Sequence, residues 1–232
     1  MVYKYICSPD TNPYYNLALE RCLFDFVEDN VVILYLWQNA HTIVIGKNQN
    51  AYAECKVDDF INTGGTLARR PSGGGAVYHD LGNLNFSIIC KESAAPEHTY
   101  QRIVKEVLLK FGINSEFNGR NDLTVSDKKF SGNAFYTKGD VLCQHGTILI
   151  NSDFKELSKY LTPDVSKLER NHVKSVESRV VNLSDFSKDI TVETMKKAMI
   201  EVTKAEKLGE IPDTEKVESY RKTFSSKEWI YG

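Results

Sequence analysis

The sequence predicts an α/β fold, a mixed β-sheet flanked by helices, and three stretches carry that expectation. Residues Val31 to Trp37 are a near-continuous β-branched and aromatic run, the mark of a strand buried on both faces. Leu84 to Ile89 alternates polar and apolar residues with the period of a strand. Between such strands lie helical patterns, the clearest being the apolar stripe Tyr100, Ile103, Val104, Val107, Leu108 and Phe111. One α/β domain over residues 1–232, with helices packed on a mixed sheet, accounts for this order.

In chain order, Asn12 and Pro13 open the first helix as N-cap and first helical residue. Leu17, Ala18, Phe24 and Val27 recur at helical spacing on it. Glu20 and Arg21 are expected on its solvated side, with Glu20 the one able to face a site. Thr42 to Gly46 follows the buried run as a second strand. A helical patch through Val57, Phe60 and Ile61 stops at Asn62-Thr63-Gly64-Gly65. A short strand lies around Leu67. Pro96 starts the helix bearing the apolar stripe, and Gly112 closes it. Leu123 to Phe130 reads as a hairpin turning at Ser126-Asp127. Val141 to Ile150 reads as a strand interrupted at Gln144-His145-Gly146. Helices are expected at 154–160, 192–202 and 216–224.

The bulk properties narrow the function. Lys and Arg number 29 against 31 Asp and Glu, a net charge of −2, which argues against wide electrostatic capture of nucleic acid. Cys7, Cys22, Cys55, Cys90 and Cys143 are odd in number, scattered and without C-x-x-C spacing, so neither a disulfide framework nor a structural zinc site is expected. The N-terminus lacks a basic-then-apolar signal pattern, and no segment approaches a membrane span. The expected setting is cytoplasmic.

The residues able to do chemistry fall in three places. The first is 69–83, where Gly73-Gly74-Gly75 sits between Arg69-Arg70 and His79-Asp80, with Asn83 beyond. Three glycines between strands mark a sharp bend or a close approach of backbone to a ligand. Neither G-x-x-x-x-G-K-[ST] nor a helix-opening G-x-G-x-x-G is present. An anion would therefore be met by backbone N–H groups and arginine rather than by a helix N-terminus. Arg70 is the better placed arginine, since Arg69 points to the opposite face of an extended edge. The second place joins Gly119 to Asp122 with Lys128 to Ala134. In an extended segment Lys128 and Lys129 face opposite sides, so one is solvated while the other enters a pocket beside Ser131-Gly132. The third is Gln144-His145-Gly146-Thr147. There the histidine reads as a hydrogen-bonded core residue or as a base, and Cys143 as an inert buried thiol or as a nucleophile.

These pieces together resemble the lipoate–protein ligase A family. The resemblance is carried by Arg69-Arg70-x-Ser72-Gly73-Gly74-Gly75-Ala76-Val77-x-His79-Asp80-x-Gly82-Asn83, by Lys129-x-Ser131-Gly132-x-Ala134 and by His145-Gly146-Thr147. Tyr160-Leu161-x-Pro163 and Ser175-Val176-x-Ser178-Arg179-Val180-x-Asn182-Leu183 follow in the same order, and the likeness runs from about Pro13 to the C-terminus. It implies the catalytic-domain fold shared by biotin and lipoate ligases, a class II synthetase-like sheet flanked by helices. It also implies a two-step reaction: lipoate and ATP with Mg²⁺ form lipoyl-AMP, and the lipoyl group then passes to a lysine. The implied acceptors are lipoyl domains of 2-oxoacid dehydrogenase E2 subunits or the glycine-cleavage H protein. Nucleic acid and membrane are not implied partners.

Residue by residue, the resemblance makes Lys129 the catalytic group, bridging carboxylate and phosphate and so touching both lipoate and ATP. Arg70 would sit near the same charges. Gly75, Ala76, Val77 and Tyr78 would frame the nucleotide, Asn83 would lie beside the adenine, and Asp122 would contact Mg²⁺ or ribose. Ser72, His79 and His145 would line the acyl side, with Leu17 on the dithiolane tail. Family ligases commonly continue into a small C-terminal accessory domain, whereas this sequence closes at Trp229-Ile230-Tyr231-Gly232. The resemblance then implies that the accessory domain is absent here, being a separate polypeptide partner, removed, or lacking in this member. The competing expectation is an octanoyl or lipoyl transferase of the same fold that uses Cys143 as acyl nucleophile.

Overall fold

Val31–Trp37 is buried at every position, as a strand with apolar layers on both sides requires. The computed structural model describes residues 1–94, 99–118, 122–162, 179–209 and 214–232. Within these, β1 (Val2–Cys7), β2 (Val31–Trp37), β6 (Asn83–Lys91), β7 (Glu116–Asn118), β8 (Asp122–Val125), β9 (Lys128–Lys138), β10 (Val141–Leu149) and β11 (Glu206–Lys207) form one mixed sheet. Its order is β11-β1-β2-β6-β10-β9-β8-β7. β1 runs parallel to β2, and the centre from β2 through β6 and β10 to β9 is antiparallel. A second sheet is built from β3 (Thr42–Ile45), β4 (Thr66–Arg69) and β5 (Val77–His79), in the order β4-β3-β5.

The helices are α1 (Pro13–Leu23), α2 (Ala51–Glu54), α3 (Val57–Asn62), α4 (Thr99–Lys110), α5 (Phe154–Tyr160), α6 (Val192–Thr203), α7 (Thr214–Ser225) and α8 (Lys227–Tyr231). One face of the large sheet, through Leu34, Leu84 and Phe86, packs on Tyr100, Val104 and Val107 of α4 and on Met195 and Met199 of α6. The opposite face, through Ile33, Tyr35 and Ile89, packs on Leu19 and Leu23 of α1 and meets Val44 and Ala68 of the small sheet. The outer face of the small sheet is covered by Phe60 of α3, Leu157 of α5 and Ile230 of α8. Strand alternation makes this layering possible: Val44 looks inward while Ile43 and Ile45 look outward.

Most expected elements lie where the sequence put them. Asn12 accepts from the backbone N–H of Tyr14 and Tyr15 and caps α1. Ser126 and Asp127 both have positive φ, the backbone of a two-residue type I′ hairpin. Three expectations need correction. Glu20 is fully buried rather than solvated. It follows Leu17 and precedes Leu23 by three residues, which places it on the core-facing stripe of α1. Val27 lies past the helix, which ends at Leu23 and tightens into a 3₁₀ turn at Phe24–Phe26. β10 is continuous through Gln144, His145 and Gly146, because each is paired to both β6 and β9. The sequence reading also missed β1, β7, β11, α2 and α8. Pro96, Gly119 to Asn121, Pro163, and Ser175 to Ser178 lie outside the described residues.

The α8 segment is tied to the glycine stretch by a reciprocal clasp. Arg69 donates to the Ile230 carbonyl from Nε at 2.9 Å and Nη2 at 2.6 Å, and Trp229 Nε1 donates to the Arg69 carbonyl at 2.8 Å. Arg69 Nη1 further donates to the carbonyls of Gly46, Lys47 and Gln49. Arg69 thus points away from the site and anchors the roof above it.

Candidate active site

A cavity of about 430 Å³ lies between the two sheets, a size suited to a small-molecule substrate. Its floor is one face of the large sheet, laid out in cross-strand rows. Trp37 pairs with Asn85, Asn85 with Thr147, and Thr147 with Gly132. One row along, Ser87 pairs with His145 and His145 with Ala134. Its roof is β3, β5 and the glycine loop that joins β4 to β5. Leu17 and Trp37 lie at the apolar β2 side, and Lys129 and Asp122 at the β9 side. Every site residue expected from the sequence lines this cavity except Ser72, Asn83 and the alternative nucleophile Cys143.

The glycine loop is shaped by Arg70, which is buried beneath it. Arg70 Nη2 donates to the carbonyls of Gly73 and Gly75, both at 2.8 Å, Nη1 to Val44 at 3.1 Å, and Nε to Ser72 Oγ at 3.1 Å. Most of its fork is therefore spent on the loop, so Arg70 acts first as the post around which the glycines turn. Burial lowers its pKa to about 10, which leaves it charged at neutral pH. Gly74 has φ +93°, and a Cβ on Gly46 would lie 2.2 Å from the Gly74 carbonyl oxygen; the two backbones touch because neither carries a side chain.

Lys129 reaches into the cavity at the other wall. Its Nζ lies 2.8 Å from Asp122 Oδ1, with both side chains about one-third exposed. The strand bulge between Leu123 and Thr124 adjusts β8 against β9 at this point. Val181 N–H donates to the Lys129 carbonyl, which brings Arg179 and Val180 to the same rim. A Cβ on Gly132 would stand 2.7 Å from Lys129 Nζ. Gly132→Ala is therefore expected to push the ammonium aside at little cost to stability, because the atom displaced is the end of a flexible chain. The expected result is a fall of roughly 10–100-fold in turnover with a thermal midpoint close to that of the unaltered protein, measured on the same preparation.

Beneath the acyl side runs a buried polar chain. His145 Nδ1 donates to Glu20 Oε1 at 2.9 Å, Ser87 Oγ donates to the same oxygen at 2.5 Å, and Tyr136 OH donates to Glu20 Oε2 at 3.1 Å. His145 Nε2 meets Ser72 Oγ at 2.6 Å, and Trp37 Nε1 donates to Ser87 Oγ at 3.0 Å. Burial pushes the Glu20 carboxyl up, but His145 and the three hydrogen bonds outweigh it and hold the group below its ordinary value. Ser72 does not line the cavity; it links Arg70 to His145. Asn83 is fully buried and donates through Nδ2 to Asn85 Oδ1 at 2.9 Å, so Asn85 rather than Asn83 faces the cavity.

His79 is buried, and its Nδ1 accepts from Asn39 Nδ2 at 3.1 Å. Burial, then the charges of Arg70 and His145, push its pKa down to about 3. With an ordinary histidine value of ~6.5 in the unfolded chain, the folded protein binds fewer protons than the unfolded chain below that pH. The contribution is fully present above pH ~6.5 and is lost as pH falls toward ~3, with a slope of about 1.4 kcal/mol per pH unit. Denaturant titrations between pH 7 and 4 are expected to show this fall in the unaltered protein and a shallower one in His79→Gln.

Sequence reasoning did not single out Trp37 or Asn85 for the site, and it gave Glu20 as solvated or able to face a site without placing it beneath His145. A signal existed for Asn85: Asn83, Asn85 and Ser87 put three polar groups on one face of a strand whose other face is Leu84, Phe86 and Ile88. Such alternation is ordinarily a solvated face, whereas here the small sheet covers it. Cys143 is fully buried and does not line the cavity; burial first, then the Glu20 carboxylate, raise its thiol well above the ordinary range. That environment favours the inert thiol over the acyl nucleophile.

Residues 12–204 match the lipoyl protein ligase A/B catalytic domain family. The chain belongs to that family. It is 42% identical over 201 residues to a lipoate-protein ligase A of Psychrobacter cryohalolentis, covering 87% of this chain and 59% of that protein. Among solved structures it resembles P. falciparum LipL1 in complex with lipoate, with a TM-score of 0.85 and 34% identity over 99% of this chain and 74% of that one. It also resembles a bipartite lipoate protein ligase from Thermoplasma acidophilum, described together with its E2 lipoyl domain, at TM-score 0.79 and 28% identity over 100% and 96% of the two chains. A lipoate-protein ligase A bound with ATP superposes at TM-score 0.80 and 26% identity, over 100% and 98%. The lipoate-ligase fold places a mixed sheet and flanking helices as the sequence anticipated. Among the described residues no helix is long and apolar enough to cross a membrane.

Proposed function

We propose that this chain carries out lipoate–protein ligation: it activates lipoate with ATP to lipoyl-AMP and passes the lipoyl group to a lysine of a lipoyl domain or an H protein. The observation that carries this reading is Lys129 Nζ, held by Asp122 in the cavity that the sheet floor and the glycine loop enclose. The reaction brings a carboxylate against an α-phosphate, and two anions repel. An ammonium between them offsets that repulsion and stabilises the charge that develops in the transition state. The acyl tail would run along the Thr147–Asn85–Trp37 row toward Leu17. The nucleotide would lie against the bare backbone of Gly75, Ala76, Val77 and Tyr78. Ser72 and Arg70 act from beneath by fixing the loop, and Glu20 fixes the ring of His145 at the cavity wall.

Asp122 and Glu54 both place carboxylates on the cavity wall, hard oxygen donors of the kind Mg²⁺ uses when phosphates and water supply the rest of its shell. Asp122 is the residue we assign to hold Mg²⁺, which would neutralise phosphate charge when bound. Glu20, Cys143 and His145 come together as potential metal ligands, but they are buried and bonded to one another, and the thiol is a poor partner for Mg²⁺. Likeness to the bipartite ligase supports a separate accessory polypeptide acting with this chain in the activation step. The free cysteines, four of five buried, suit a cytoplasmic setting. The test is to supply lipoate, ATP and Mg²⁺ and follow pyrophosphate release together with mass gain on an isolated lipoyl domain. Both signals are expected, and absence of each with every accessory fraction added would overturn the reading.

A further inference from the structure

Arg69 stands next to Arg70 in the sequence but faces away from the cavity. It is 6% exposed, and all three guanidinium nitrogens are bonded to backbone carbonyls. Nη1 gathers the carbonyls of Gly46, Lys47 and Gln49, the turn that leaves β3, while Nε and Nη2 take that of Ile230 in α8. Carbonyl oxygens that converge on one place repel each other. The shape of this turn therefore depends on a planar donor wide enough to reach them all.

The turn is also the back support of the glycine loop. Lys47 N–H donates to the Ser72 carbonyl at 2.8 Å, and Gly46 lies so close to Gly74 that a Cβ on it would strike the Gly74 carbonyl oxygen. The loop is thus gripped from two sides. Arg70 holds the carbonyls of Gly73 and Gly75 from beneath, and Arg69 holds the turn that backs Ser72 and Gly74. Gly75 to Tyr78 continue from that grip along the cavity wall. The acyl floor has no such dependence, because Thr147, Asn85 and Trp37 lie on strands of the large sheet that pair with one another.

We propose that Arg69 is a positioning residue for the nucleotide half of the cavity: through the 46–49 turn it sets the backbone of the glycine loop, and so the affinity for ATP, without bearing on the acyl half. The proposal rests on the ligase reading for its nucleotide. Trp229 Nε1 donates to the Arg69 carbonyl, so α8 belongs to the same support. A displacement of α8 would reach the glycine loop through this one residue.

The test compares the unaltered full chain with Arg69→Lys and Trp229→Phe. Lysine keeps the charge but offers one compact centre in place of the fork. Phenylalanine keeps a ring beside Phe224 and removes only the N–H. Calorimetry with ATP and Mg²⁺, without lipoate, is expected to show affinity lower by roughly tenfold in Arg69→Lys and by about 2–10-fold in Trp229→Phe. Free lipoate is expected to bind all three proteins alike. Hydrogen exchange should quicken in the backbone of 72–78 and stay unchanged in 84–90. Met199→Ala opens a cavity on the opposite face of the large sheet and serves as the comparison for stability alone. It is expected to lower the thermal midpoint while both affinities and the loop exchange hold. Unchanged ATP affinity in folded Arg69→Lys, a lipoate affinity that falls with it, or the same pattern in Met199→Ala overturns the proposal. Should Arg69→Lys not fold, Trp229→Phe decides by the same criteria. An unaltered protein that binds no ATP counts against the ligase reading. Exchange in 72–78 then still judges the clamp, faster in the variants if Arg69 holds the loop and unchanged if it does not.

Discussion

Lys129→Ala is expected to lower lipoate activation about 10²–10³-fold in kcat, the usual effect of removing one preorganised donor from developing charge. The same change is expected to slow transfer from lipoyl-AMP, because the ammonium would contact the acyl oxygen and the phosphate in both steps. Stability should hardly move. The Lys129–Asp122 pair is about one-third exposed on each side, and pairs of that exposure contribute on the order of 0–1 kcal/mol. Single-turnover assays of the two steps, run beside a thermal melt, check all three statements. Lys129→Arg keeps the charge but spreads it over a wider planar fork in place of a compact ammonium, so it is expected to recover only a small part of the activity.

The second large effect concerns Glu20, and it falls on stability. Glu20→Ala removes the acceptor for His145, Ser87 and Tyr136 at once and leaves their donors without partners in a fully buried place. A buried donor left without its acceptor costs about 1–3 kcal/mol, so losing the acceptor of three donors at once is expected to cost roughly 3–5 kcal/mol. For a chain of this length the thermal midpoint should fall by roughly 10 °C or more. Glu20→Gln retains one acceptor oxygen but sets an amide against a donor, so an intermediate loss is expected. The pH dependence has a definite sign. The Glu20 carboxyl lies below its ordinary value in the folded protein, so its contribution is present above the unfolded value and is lost as pH falls through the folded one. Glu20→Gln should flatten that acid limb in denaturant titrations.

The parts of the fold that were legible in the sequence are those whose pattern is local. Val31–Trp37 announced a two-faced strand, Asn12-Pro13 a helix start, and Ser126-Asp127 a tight hairpin, and each needs only its own neighbours to form. The parts that were not legible depend on what packs against them. Glu20 looked solvated because it is charged, yet its spacing from Leu17 and Leu23 turns it inward, where His145 and Tyr136 from distant strands receive it. His145 appeared to break its strand because a polar triplet in an apolar run suggests a loop; in fact both neighbouring strands pair through it. Asn85 was hidden for the converse reason, since half-polar alternation suggests solvent until a second sheet covers it.

The site shows the same division. The glycine loop, Lys129 and His145 were found as separate stretches, and the fold brings them to one cavity. What no stretch revealed was how the arginine is used. Arg70 binds the loop carbonyls before it binds any ligand, and Ser72 hands that anchorage on to His145 and Glu20. The rigid support beneath the cavity therefore comes from α1, β6 and β10, while the reacting charges face it from β8 and β9.

The central claim is that Lys129, at the β9 wall of the cavity facing the glycine loop's enclosure, serves acyl-adenylate chemistry. Its most direct test supplies preformed lipoyl-AMP and an isolated lipoyl domain to this chain and follows lipoylation of the acceptor lysine by intact mass. The account predicts transfer well above the uncatalysed rate with the unaltered protein, and a rate about 100-fold lower with Lys129→Ala. Transfer no faster than without protein, or equal in the two proteins, would contradict it.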